Sequence, residues 1–158
     1  MGARLVSVIG GASATDREAA LAAELGGLLA REGFTIVCGG GSGVMLAACR
    51  GAAEAGGATL GILRGTDPAE ANPYVTIAVT TGLGSSRNRI VALSGSAVVA
   101  VGGGYGTLSE IAFALQAGRP VCALVSRWGS IEGVTEVRTP AEALAFVIRQ
   151  DNAGGGAC

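Results

Sequence analysis

A chain of 158 residues with a formal net charge of -1 suits one domain, long enough to bury roughly 70% of its unfolded surface. That near balance supplies no basic field, so no nucleic-acid partner is expected. All eleven basic residues are arginine and there is no histidine. This excludes a pyridoxal Schiff base, a Walker-A lysine, a Ser-His-Asp triad and imidazole metal ligands.

The first strand is expected at Leu5 to Ile9, ending in Gly10-Gly11-Ala12-Ser13. Thr15 or Asp16 then caps a long helix with Ala20, Leu21, Leu25, Leu28 and Leu29 inward, stopped at Gly33. Phe34 to Cys38 is a second strand, followed by Gly39-Gly40-Gly41-Ser42-Gly43, a helix from Val44 to about Ala55, and a third strand from Ala58 to Leu63. Arg64 to Pro73 reads as a surface loop, Val75 to Val79 as a strand, and Ser86 to Leu93 as a loop entering a helix. Ala97 to Val101 is a short valine-rich run, the pattern of a buried parallel strand. Gly102 to Gly106 form a turn, and Thr107 three residues before Glu110 has the spacing of a capping box opening the next helix. Pro120 to Val125 is a sixth strand, Arg127 to Arg138 is irregular, and Thr139-Pro140 begins the last helix.

This alternation predicts an α/β fold, a single Rossmann-like, doubly wound, mostly parallel sheet with helices on both faces. The domain is expected over residues 1–150, with 151–158 a flexible tail. Met1-Gly2-Ala3-Arg4 leads straight into a strand without a signal peptide. The uncharged stretch Ile90 to Ser109 is long enough to span a bilayer, but its glycines and serines fit a helix end, a strand and a loop instead. Cys38, Cys49, Cys122 and Cys158 form no C-x-x-C pair. Free thiols fit a reducing compartment, so a cytoplasmic location is expected.

In such sheets ligands bind outside the carboxyl ends of the strands. Three strand-to-helix junctions, after Ile9, Cys38 and Val101, carry glycine or small residues at that edge. Together they point to a phosphate-bearing ligand on helix N-termini. Candidate binding residues are Gly10 and Ser13 at the first junction and Gly40, Gly41, Gly43 and Met45 at the second. Gly103, Gly104, Tyr105, Gly106 and Thr107 are the candidates at the third. Each has a plain structural alternative: the glycines permit tight turns, Thr107 caps its helix, and Tyr105 is a rim residue. Glu110 either completes its own cap or, one turn above an anion site, orients water or stabilises a developing oxocarbenium. Arg87 and Arg89 are either solvated or turned toward an anion, for which arginine is suited.

Three segments together, Gly39-Gly40-Gly41-Ser42-Gly43-Val44-Met45, Gly82-Leu83-Gly84-Ser85-Ser86-Arg87-Asn88 and Gly103-Gly104-Tyr105-Gly106-Thr107-Leu108-Ser109-Glu110, resemble the LOG-like (SLOG) Rossmann proteins. This is the superfamily of cytokinin riboside 5'-monophosphate phosphoribohydrolases. The Arg-Asn pair, the Thr-Leu-Ser-Glu ending and Asn72-Pro73-Tyr74-Val75 look most like the branch of molybdenum-cofactor carrier proteins and DprA/Smf-related bacterial proteins. The resemblance implies that Arg87 and Glu110 are the catalytic pair. The reaction would be hydrolysis of the N-glycosidic bond of a purine- or cytokinin-type nucleoside 5'-monophosphate to free base and ribose 5-phosphate.

The alternative it implies is a non-catalytic carrier or sensor of a phosphorylated pterin or nucleotide. That reading is favoured by Gly102 in place of the motif's proline, Asn88 in place of a lysine and Ser109 in place of a second acid. Neither reading involves a resident cofactor, a metal or a membrane. A homodimer or homotetramer is expected, because Ile90 to Leu93 and Leu108 to Leu115 are apolar over more than one face.

Overall fold

A computed structural model describes residues 2–154 of the chain. Seven strands make one sheet: β1 (Arg4–Gly10), β2 (Phe34–Cys38), β3 (Thr59–Leu63), β4 (Ile77–Thr80), β5 (Val98–Val101), β6 (Val121–Leu124) and β7 (Val134–Val137). Five α-helices alternate with them: α1 (Asp16–Arg31), α2 (Val44–Glu54), α3 (Asn88–Ser94), α4 (Tyr105–Gln116) and α5 (Pro140–Gly154). The order across the sheet is β4-β3-β2-β1-β5-β6-β7 and every pairing is parallel. The chain builds outward from β1 to β4 and then returns to lay β5 on the other side of β1. The carboxyl ends of β1 and β5 therefore flank the switch point, where doubly wound sheets open a crevice.

The central strands are apolar on both faces, as a covered parallel sheet requires. Val6, Val8, Ile36, Cys38, Val99 and Val101 pack beneath α1, α2 and α5. Ile9, Val37, Val98 and Ala100 pack on the opposite side, beneath α3 and α4. On α1 the inward stripe is Ala22, Leu25, Gly26 and Leu29. Ala20, expected inside, faces solvent. The stripe is displaced because α1 lies against α2 through glycine: a Cβ on Gly26 would run into the Ala48 carbonyl, and one on Gly51 into that of Ala23. Small residues are what allow the two backbones to approach so closely.

Thr15 caps α1 in a full capping box, its hydroxyl accepting from Glu18 N (3.1 Å) while Glu18 Oε2 accepts from Thr15 N (2.8 Å). The segment read as irregular contains β7, an edge strand that is largely solvent-exposed at Thr135 and Glu136. The fourth strand begins at Ile77, two residues later than the alternation suggested. α5 runs on through Gly154, four residues into the segment expected as a tail, and Arg4 Nε donates to Asp151 Oδ2 at 2.8 Å. The remainder of the expected tail, 155–158 with Cys158, lies outside the described residues. Cys38, Cys49 and Cys122 are buried free thiols. Among the described residues no helix is long and apolar enough to cross a membrane.

Candidate functional site

A cavity of about 230 Å³ opens at the switch point. Its floor is Ile9, Gly10, Gly11 and Ala12 at the end of β1, and its walls are Gly39, Met45, Arg64, Arg87, Asn88, Gly104, Gly106, Thr107 and Glu110. A second lobe of about 230 Å³ shares Ala12, Gly39, Met45, Arg64 and Arg87 and continues past Gly41, Ser42 and Glu70. Of the residues singled out from sequence, Gly10, Met45, Arg87, Gly104, Gly106, Thr107 and Glu110 line the first lobe, and Gly41 lines the second.

Five others lie outside both. Ser13 is exposed beyond the first junction. Gly40 is buried behind the lobes, its N–H on Cys38 Sγ (3.3 Å) and its carbonyl accepting from Asn72 N (2.8 Å). Gly43 packs on the Gly11–Ala12 backbone, Gly103 accepts from Trp128 Nε1 (3.2 Å), and Tyr105 stands exposed at the rim. Asn72 also donates Nδ2 to the Gly41 carbonyl (2.9 Å), so the loop after β3 holds this glycine turn from behind.

The turn after β5 differs from the capping-box expectation. The helix starts at Tyr105, with Gly104 at its N-cap and no side-chain cap. Thr107 is the third residue of the helix, so its Thr-x-x-Glu spacing does not make a cap. Among the described residues the N–H groups of Tyr105, Gly106 and Thr107 have no protein partner; Leu108 N is the first to bond, to Gly104 O at 3.0 Å. Three bare amides at the positive end of a twelve-residue helix suit an anion.

Glu110 turns inward and is 8% exposed. Burial pushes its carboxyl up to about 8, against smaller downward pulls from Arg87 and then Arg64. Arg87, which closes a short 3-10 turn (Gly84–Arg87), is 6% exposed. Its Nη1 donates to Ile62 O at 2.8 Å, and its Nε is the one buried side-chain nitrogen or oxygen without a partner among the described residues. Burial lowers its pKa, Glu110 raises it and Arg64 lowers it further. Arg87 and Glu110 face the same cavity, yet the ion pairs among the described residues are Arg4–Asp151 and Arg50–Glu54. A buried guanidinium without a carboxylate against it is costly unless an anion arrives. Arg89, by contrast, is exposed, its guanidinium 5.6 Å from the Phe113 ring, so of the two arginines only Arg87 serves the pocket.

Gly39 makes room for Arg87: a Cβ there would collide with Nη1 and lie 2.7 Å from Cζ. Asn88 Nδ2 donates to Ser109 Oγ at 3.0 Å, and Ser109 Oγ donates to Gly106 O at 2.6 Å. Asn88 and Ser109, two of the three substitutions that depart from the phosphoribohydrolase pattern, thus meet each other as a neutral pair bracing α4. Arg64 was missed from sequence, although its place directly after β3 at the carboxyl edge is a signal the same strand-end rule provides.

The sequence model of the SLOG cluster4 family matches residues 3–152. An uncharacterized protein of Archaeoglobus fulgidus is 38% identical over 144 residues, spanning 90% of this chain and 93% of its own. The structure of the molybdenum cofactor binding protein of Rippkaea orientalis superposes with a TM-score of 0.89 at 34% identity, covering 94% of this chain and 98% of that one. The molybdenum cofactor carrier protein of Chlamydomonas reinhardtii does so with a TM-score of 0.84 at 36% identity, covering 96% and 99%.

Proposed function

This chain belongs to the SLOG cluster4 family, and from that premise we propose that it is a carrier whose cargo is a phosphorylated pterin, molybdenum cofactor. The observation that carries the reading is Arg87, buried and without an ionic partner among the described residues, facing the cavity into which the first turn of α4 points. A phosphate there would take the free amides of Tyr105 to Thr107 and the Thr107 hydroxyl, and Arg87 and Arg64 would balance its charge. The full-length likeness to molybdenum cofactor proteins supports this choice of cargo.

Hydrolysis of a nucleoside 5'-monophosphate is the second reading, favoured by the meeting of Arg87 and Glu110 in one cavity. It is the weaker of the two. A carboxyl raised to about 8 is mostly protonated at neutral pH, and a neutral acid does not stabilise an oxocarbenium. Native mass spectrometry of protein from a molybdenum-replete host, beside a ribose 5-phosphate assay on AMP and N6-prenyl AMP, separates the two. Retained cofactor with no release of sugar phosphate is the expected result. Empty protein that releases ribose 5-phosphate would reverse the order.

The chain is further proposed to act as a homo-oligomer in the cytoplasm without binding DNA or RNA. Leu83 and Ile90 are exposed beside α3, at 51% and 39%, and would be covered by a second copy. The buried free thiols fit a reducing compartment. Light scattering that gives a monomer mass at micromolar concentration, or a salt-sensitive gel shift with DNA, would overturn those two points.

A further inference from the structure

Three side chains beside the cavity are used by nothing described so far: Tyr105, Arg127 and Trp128. Tyr105 stands between Gly104 and Gly106, both of which line the cavity, yet its own side chain is 79% exposed. Its ring leans on Trp128, with centroids 6.2 Å apart and planes tilted by 43°. The Arg127 guanidinium lies 4.3 Å from the Trp128 ring centroid and 5.4 Å from that of Tyr105. The loop that carries the last two residues is tied to the glycine turn itself: Trp128 Nε1 donates to Gly103 O (3.2 Å), and Ser126 Oγ donates to Gly102 O (2.8 Å).

Rings fixed to the backbone of an anion-binding turn stay at a set distance from whatever anion that turn holds. Trp128 and Arg127 lie against the Tyr105 ring, and the exposure of that residue leaves most of it to solvent. We propose that Tyr105, backed by Arg127 and Trp128, is the stacking face for a planar heteroaromatic ring on a ligand whose phosphate occupies the first turn of α4. This rests on the phosphate reading above. The ligand class is a phosphomonoester bearing a flat heterocycle, a pterin or a nucleobase. A tyrosine offers a large contact area at the loss of few rotatable bonds, and stacking tolerates any ring with a π face.

The test is calorimetric titration of the whole chain, with Tyr105→Ala and Tyr105→Phe beside it, using inorganic phosphate, ribose 5-phosphate, AMP and neopterin monophosphate. Tyr105→Ala should weaken the two ring-bearing probes by about tenfold or more and leave the two ringless ones unchanged. Tyr105→Phe should restore the loss. Trp128 is the only tryptophan, so AMP, but not ribose 5-phosphate, should change its emission. Whichever of AMP and neopterin monophosphate binds more tightly tells which heterocycle the face prefers. If phosphate and ribose 5-phosphate bind but the ring adds no affinity, or Tyr105→Ala weakens all four probes alike, the stacking face is wrong and the phosphate reading stands. If none of the four binds, the phosphate reading fails and this proposal with it.

Discussion

Replacing Glu110 by glutamine is expected to flatten part of the pH dependence of this protein's stability. The native carboxyl, 8% exposed, holds its proton up to about pH 8, whereas in the unfolded chain it releases it near 4.5. Between those values the folded state binds a proton that the unfolded state has lost, so stability falls as pH rises. The slope is about 1.4 kcal/mol per pH unit. The contribution of the neutral acid is complete below 4.5 and gone once pH passes 8, a swing on the order of 5 kcal/mol. Glutamine keeps the shape and has no proton to release. Urea denaturation of both proteins at intervals from pH 5 to pH 9 gives the difference directly. The wild-type curve should fall away from that of Glu110→Gln toward high pH. Parallel curves would mean that the native carboxyl is already ionised, and the case against hydrolysis would lose its footing. Any hydrolysis should likewise rise with pH through about 8.

Gly39→Ala places a methyl where the Arg87 guanidinium lies. It should break the bond to Ile62 O, lowering stability by about 1.5–3 kcal/mol, and weaken phosphate binding measured by calorimetry, while Arg89→Gln leaves that binding unchanged. Gly26→Ala improves helix propensity yet meets the Ala48 carbonyl, so thermal melting should show a net loss of about 1–3 kcal/mol. Unchanged melting would mean that α1 and α2 separate easily. Thr15→Ala removes a complete capping box and should cost about 1 kcal/mol in urea titration; the corresponding Thr107→Ala change should not show this loss of a cap.

Most of the strands legible in the sequence are buried on both faces, as Val98–Val101 and Val121–Leu124 are; Ile77–Thr80, exposed along its length, was legible through its alternation instead. β7 escaped because Val134-Thr135-Glu136-Val137 is a half-exposed edge with no apolar run to mark it. Two Thr-x-x-Glu spacings occur, Thr15–Glu18 and Thr107–Glu110, and only the first makes a box. A cap residue must sit in extended backbone just outside the helix, as Thr15 does with φ -67 and ψ 161. At the second, Gly102 and Gly103 take positive φ and start the helix two residues before Thr107. Local spacing cannot distinguish the two cases, because the turn is set by how β5 meets its neighbours.

From the sequence alone follow the alternation of strand, glycine turn and helix, and with it a parallel sheet whose carboxyl edge carries the turns. The absence of lysine and histidine likewise limits the chemistry to arginine, carboxyl, hydroxyl and backbone. The tertiary structure decided which of these groups meet. The return of the chain across β1 sets Arg64, Arg87 and Glu110 around one cavity, and the depth of that cavity determines their state. Burial without a facing ion pair leaves Arg87 open to an anion and keeps Glu110 protonated at neutral pH. Charge state depends on how much water and which neighbours surround a group, and both are properties of the packed molecule.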